Sequence, residues 1–245
     1  MIPAFATLTL ALAATGCGPP PLSGDRPWGP GERLTYDVDV LGVTRERGLS
    51  VAVEPGSPGT MNLAAKVDAS APFKRIRGSA RSWLDGGTLL PTRFHDETSD
   101  GTFRSTDSQI DRPGLAVRVY WVDGGERGMN AFVRGSAVFD LLSAVYYLRA
   151  ARLAAGSAFC FDVVGGRAYW RVSGRVEPGT ERIKTPRGTL EAVRLEGVAA
   201  RSGEPSRRYR LRLWVSTDAR RLPVAMVVEG SLGSVRASIA SAAGP

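Results

Sequence analysis

The chain has 245 residues, a formal charge of +8 and 43% hydrophobic residues. That length supports one sizeable core, and all-β domains of this size are common. Two cysteines are too few for a disulfide framework, and one histidine excludes a metal site built from histidines.

The N-terminal segment "MIPAFATLTLALAATGCGPPPLSGD" carries no charge from Ile2 to Thr15. It suits the apolar region of a signal peptide and falls short of the ~20 residues a bilayer span needs. Ala14-Thr15-Gly16-Cys17 resembles the lipobox of bacterial lipoproteins, although no basic n-region precedes it. The resemblance implies cleavage after residue 16 and acylation of Cys17. Residues 1–16 are then a signal peptide, and residues 17–31 a lipidated Pro/Gly-rich tether. Gly18, rather than Asp, follows the cysteine, which by resemblance to the common sorting rule implies an outer-membrane lipoprotein facing the periplasm. With Cys17 acylated, Cys160 in "AFCFDVV" has no intramolecular partner and reads as a small buried hydrophobe.

From residue 32 to 241 the pattern is that of a single β-rich domain. In "RLTYDVDV" Leu34, Tyr36, Val38 and Val40 share a face, and "GLSVAVEP" repeats the device. "LAVRVYWVDGG", "RRYRLRLWVS", "LPVAMVVEG" and "GSVRASIA" continue it, with turns such as "EPGSPG", "DGG" and "EPGTE" between the runs. About a dozen half-buried strands imply a large curved antiparallel sheet, either an incomplete (half) barrel or a sandwich.

One segment breaks the period: "FDLLSAVYYLRAARLAAG" predicts a packed α-helix around 140–155, with Asp140 at its start and Gly156 as its stop. Leu141, Leu142, Val145 and Leu148 fall on one arc, widened by Tyr146 and Leu153. Arg149 and Arg152 lie inside that arc. Snorkelling along apolar surface would satisfy both; Arg149 is expected to be buried against a carboxylate or backbone carbonyls.

The motifs "PGERLTYDVDVLGV", "FDLLSAVYYLR", "IKTPRGTLEAVRLEG" and "LRLWVSTDARRLPVAM", in that order, resemble the DUF3108 family of bacterial exported proteins across roughly residues 29–240. The resemblance implies an envelope protein with a curved β fold; it carries no catalytic residues.

The remaining candidates are weak individually. His95 with Asp96 and a serine could form a nominal triad, but no nucleophile elbow is present. The acidic run from Asp96 to Asp111 lacks calcium-loop spacing and reads as a solvated hairpin. Arg208, Arg210 and Arg212 line one strand face, either as a wet surface or as a cationic one toward a membrane or acidic partner. Strand aromatics (Trp83, Trp121, Trp170, Trp214, Tyr169 and Tyr209) are core or the wall of an apolar pocket. The sequence therefore reads as a non-enzymatic envelope lipoprotein binding an apolar or lipid-like ligand, attached by Cys17, with Arg149, Arg152, Trp170 and Trp214 as candidate ligand or structural residues. A scaffold of an outer-membrane complex is the alternative, and a carboxylate hydrolase the least favoured. No cofactor and no nucleic acid are expected.

Overall fold

The computed structural model describes residues 18–24, 26–72, 74–111, 116–133, 135, 137–231 and 233–244. Cys17 and the expected signal peptide over residues 1–16 lie outside them.

The described residues form sixteen strands, with one helix between the ninth and the tenth. The first eight are β1 (Arg33–Val40), β2 (Val43–Pro55), β3 (Thr60–Ala71), β4 (Lys74–Asp85), β5 (Pro91–Ser99), β6 (Phe103–Ile110), β7 (Ala116–Asp123) and β8 (Glu126–Val133). After β9 (Val138–Asp140) and helix α1 (Leu141–Ala150) come β10 (Ala158–Gly165), β11 (Ala168–Val176), β12 (Glu181–Thr185) and β13 (Gly188–Arg201). The chain closes with β14 (Glu204–Ser216), β15 (Pro223–Gly230) and β16 (Gly233–Ala243). All belong to one sheet in the order β8-β7-β6-β5-β4-β3-β2-β1-β16-β15-β14-β13-β11-β10-β9, with β12 paired on β13. Every pairing is antiparallel except that of β9 with β10. The expected dozen strands thus become sixteen, because polar segments such as Phe103–Ile110 and Glu126–Val133 pair by their backbones without a strong alternation signal.

The sheet curls so that its two ends overlap. The inward Ile110, Val117 and Val119 pack against Val138, Val164 and Tyr169, and the Phe132 ring stacks on Tyr169 with centroids 5.5 Å apart. The far end of the sheet therefore lies inside the curl of β6–β8. β10 is consequently covered on both faces, which is why "AFCFDVVG" is nearly continuous apolar sequence rather than alternating. Its Phe159, Phe161 and Val163 face the interior, while Asp162 faces the overlap and accepts from Tyr169 Oη at 2.6 Å. Cys160 is disulfide-bonded, so the expectation of an unpaired buried thiol fails.

α1 sits inside the curl. Asp140 caps it: the carboxylate accepts from Leu142 N at 2.8 Å and Ser143 N at 3.0 Å, and Ser143 Oγ accepts from Asp140 N, completing a capping box. The helix ends at Ala150 rather than near 155 because its last carbonyls are taken by other elements. Ser23 N and Oγ both donate to Ala150 O, and Arg221 donates to the carbonyls of Arg149 and Ala151. Arg152 then leaves the helix, its N–H donating to Pro21 O at 2.8 Å.

Those contacts also correct the tether. Residues 18–32 are not a free spacer; they run along the domain. Gly18 O accepts from Cys160 N, Pro20 O from Tyr147 Oη, and Leu22 bridges Ala151. Trp28 is buried in the main core, and Glu32 O accepts from Val53 N. A Pro/Gly composition signalled flexibility, but this strap finds donors at each step.

Candidate functional site

α1 has two working faces. One carries Tyr146, Tyr147, Arg149 and Ala150 into the core toward β3, β4 and the strap. Arg149 and Glu32 are both 0% exposed there. The guanidinium grips Glu32 with both ends, Nη1 to Oε1 at 2.7 Å and Nη2 to Oε2 at 2.9 Å. It also donates to the carbonyls of Arg221 and Arg220 at 2.9 and 3.2 Å, and Tyr146 Oη donates to Glu32 at 3.0 Å. Trp28 and Tyr146 flank the cation, their ring centroids 4.8 and 4.7 Å from its central carbon. Burial pulls the guanidinium pKa down, but the bonds to Glu32 outweigh it and the group stays firmly charged. This is a satisfied buried pair.

The other face of α1 borders a cavity of about 480 Å³, within the range of small-molecule sites. Leu141, Ala144, Val145 and Leu148 form its helical wall. Phe159, Phe161 and Val163 of β10 and the inward Leu211, Leu213 and Met226 oppose them. Small residues at Gly197 and Ala199 keep the volume open on the β13 side. Trp170 and Tyr209 form an aromatic corner with centroids 5.3 Å apart. A Cβ at Gly230 would lie 2.5 Å from Tyr209 Cε1, so only glycine lets that ring rest on β15. The one charged lining residue, Arg212, turns its guanidinium outward to Glu229 and over the Trp214 ring, leaving the described lining without a charged group of its own. Two other depressions are open and more polar, one of them lined by Asp37, Asp39, Lys184 and Arg236.

Of the four residues singled out by sequence, the structure brings one to the cavity. Trp170 lines it. Arg149 occupies the core on the helix's other face. Arg152 is exposed beyond the helix end. Trp214 points to the outer face, buried beside β12, with Nε1 donating to Glu181 at 2.9 Å. The helical arc was also misplaced: Leu141 is exposed at the cavity, whereas Tyr147 and Ala150 are buried. The expected arc assumed one apolar neighbour; an interior helix with protein on one side and a cavity on the other has two. Residues the sequence reading missed include Glu32, Trp28, Phe159 and Phe161. Glu32 lies just before β1, outside its alternation, and carries no local signal of burial.

The nominal triad does not assemble. His95 pairs with Glu97 at 3.1 Å and faces Asp107 across the sheet, whereas Asp96 is directed to the opposite face toward Thr106. Burial raises the Asp96 pKa despite that bond. Among the described residues no group of three or more His, Cys, Asp or Glu is placed to hold a metal ion.

The family model described as "Protein of unknown function (DUF3108)" matches residues 36–240, and the chain belongs to that family. It is similar in fold to a β-barrel-like DUF1849 protein from Brucella abortus, at 12% identity and TM-score 0.58, covering 88% of this chain and 98% of that one. A candidate lipoprotein from Parabacteroides distasonis matches at 11% identity and TM-score 0.39, covering 89% and 97% of the two chains. A search of the curated proteins returns no match.

Proposed function

We propose that this chain is a non-enzymatic envelope protein that holds an apolar, lipid-like ligand in the cavity between α1 and strands β10–β15. The observation that carries the reading is the lining: about 480 Å³ bounded by aliphatic and aromatic side chains with no charge directed inward. Water in such a space finds few partners, so apolar atoms displace it favourably. A scaffold would need no internal volume, and a carboxylate hydrolase would need two acids facing a cleft; neither describes this lining.

The test is native mass spectrometry with lipid extraction, together with titration of a fluorescent apolar probe, N-phenyl-1-naphthylamine. Ala144→Trp places a bulky ring into the cavity from a half-buried helix position. We expect the purified chain to bind the probe and the variant to lose at least tenfold in affinity while keeping its unfolding midpoint. A chain that carries no lipid and ignores the probe overturns the reading.

The envelope location rests on the character of the N-terminal segment. A lipid anchor at Cys17 is tested by fractionation of Cys17→Ser: membrane attachment that persists unchanged overturns it.

A further inference from the structure

The alternation of an antiparallel sheet puts the turns after β1, β10, β13 and β15 at one end of the molecule. The cavity opens there: Leu141 at the helix start and Gly165–Gly166 at the β10–β11 turn both line it. Large apolar side chains are exposed at the same end, with Leu41 at 47%, Leu141 at 60%, Val228 at 40% and Val235 at 43%. They adjoin one another. Val228 faces Val235 across β15–β16, and Val235 faces Val40, the neighbour of Leu41. Leu41 also reaches Gly233, and Leu141 and Val228 border the same cavity. A soluble surface spends such residues where something covers them.

Arginines stand beside this rim. Arg45 pairs with the inward Val38, so it shares the interior face at the mouth end. Arg207 lies two residues before the cavity-lining Tyr209, and so on the same strand face. Both are exposed and neither makes a salt bridge among the described residues, although Arg45 stands near enough to Asp68 to help hold that carboxyl low. The strap meets the domain at the opposite end, where Gly18 bonds Cys160 near the start of β10.

We infer that the cavity mouth, with Leu41, Leu141, Val228 and Val235 as its apolar rim and Arg45 and Arg207 beside it, docks on an anionic lipid surface. This rests on the apolar-ligand reading and adds the source from which the cavity fills. The aliphatic tips enter the acyl boundary while the guanidiniums meet phosphate groups. Because the mouth faces away from the strap, this contact is separate from any attachment through the N-terminus.

The test uses the full mature chain carrying Cys17→Ser, which no acyl chain can anchor at that sulfur, in flotation with vesicles of phosphatidylglycerol and phosphatidylcholine or of phosphatidylcholine alone. Binding should require the anionic lipid and weaken with salt. Arg45→Gln and Arg207→Gln should each cost about fivefold, and Leu41→Asp with Val235→Asp should abolish flotation. None of these four residues lines the cavity, so uptake of N-phenyl-1-naphthylamine from solution should be unchanged in all three variants. Probe uptake without vesicle binding, equal binding to neutral vesicles, or indifference to the rim variants overturns the docking surface while leaving the cavity reading intact. Loss of probe uptake by the unmutated rim protein would instead defeat the cavity reading.

Discussion

Arg149 and Glu32 show what a buried ion pair demands. Each charge loses its water, and the cost is met only because the guanidinium makes four hydrogen bonds and the carboxylate gains Tyr146 as a further donor. Arg149→Met leaves Glu32 buried and unpaired, and should destabilise the fold by about 3–5 kcal/mol in urea unfolding. Glu32→Gln combined with Arg149→Met should lose much less than the sum of the single changes. Strict additivity would show that the two residues do not act as a pair. Asp140 makes a different case. Burial raises its pKa above the usual 3.8, although Ser82, Ser143 and Leu142 all donate to it. A carboxyl whose folded pKa is raised binds its proton more tightly when folded. Its ionisation therefore weakens the fold as pH rises from the unfolded pKa through the folded one. Asn at 140 keeps an acceptor for the helix N–H groups and cannot ionise. The stability difference between wild type and Asp140→Asn should shift in favour of Asn as pH rises above the usual carboxylate range. A difference that stays constant in urea unfolding from acid to neutral pH would show that the carboxyl is not perturbed.

At the scale of elements, α1 is short because its end is assembled from outside. Arg221, held at φ 44° after β14, donates to the carbonyls of Arg149 and Ala151, and Ser23 of the strap takes Ala150. Arg221→Ala should leave two of these acceptors poorly satisfied and cost about 1–3 kcal/mol, read as a lower thermal midpoint with early loss of the helical circular dichroism signal. An unchanged midpoint would mean that water replaces the guanidinium. The helix's existence was legible from Leu and Ala content and from Asp140. Its length was not, since Gly156 offered a plausible stop, whereas the real stop is set by residues 70 or more positions away. The strap departs from its composition for a related reason. Proline and glycine report low intrinsic order in an isolated segment, but Gly18, Pro20 and Pro21 each present a carbonyl to a donor that only the folded domain supplies.

Over the whole molecule, period-two alternation was enough to establish a large curved sheet with one interior helix, because a strand half covered by a core must place every second residue inward. Leu34, Tyr36, Val38 and Val40 do so in β1. The fold class, the turn-rich connectivity and the family follow from such local patterns, which act between residues close in sequence. The candidate site does not. Trp170 and Trp214 carry the same kind of strand aromatic, yet one lines the cavity and the other lies under β12 on the outer face. Which face is inner depends on how the sheet rolls. Arg149 was placed inside by its own wheel position, but its partner Glu32 is 117 residues away. The overlap of β6–β8 with β9–β11, the cavity beside α1, and the separation of its mouth from the strap arise from the closure of a sixteen-stranded sheet. Closure is decided by long-range packing that no local window contains. The sequence by itself determined the β-rich class, the presence of one helix and the family, because these follow from local patterns; only the tertiary structure decided which faces would meet, and so where a ligand could enter.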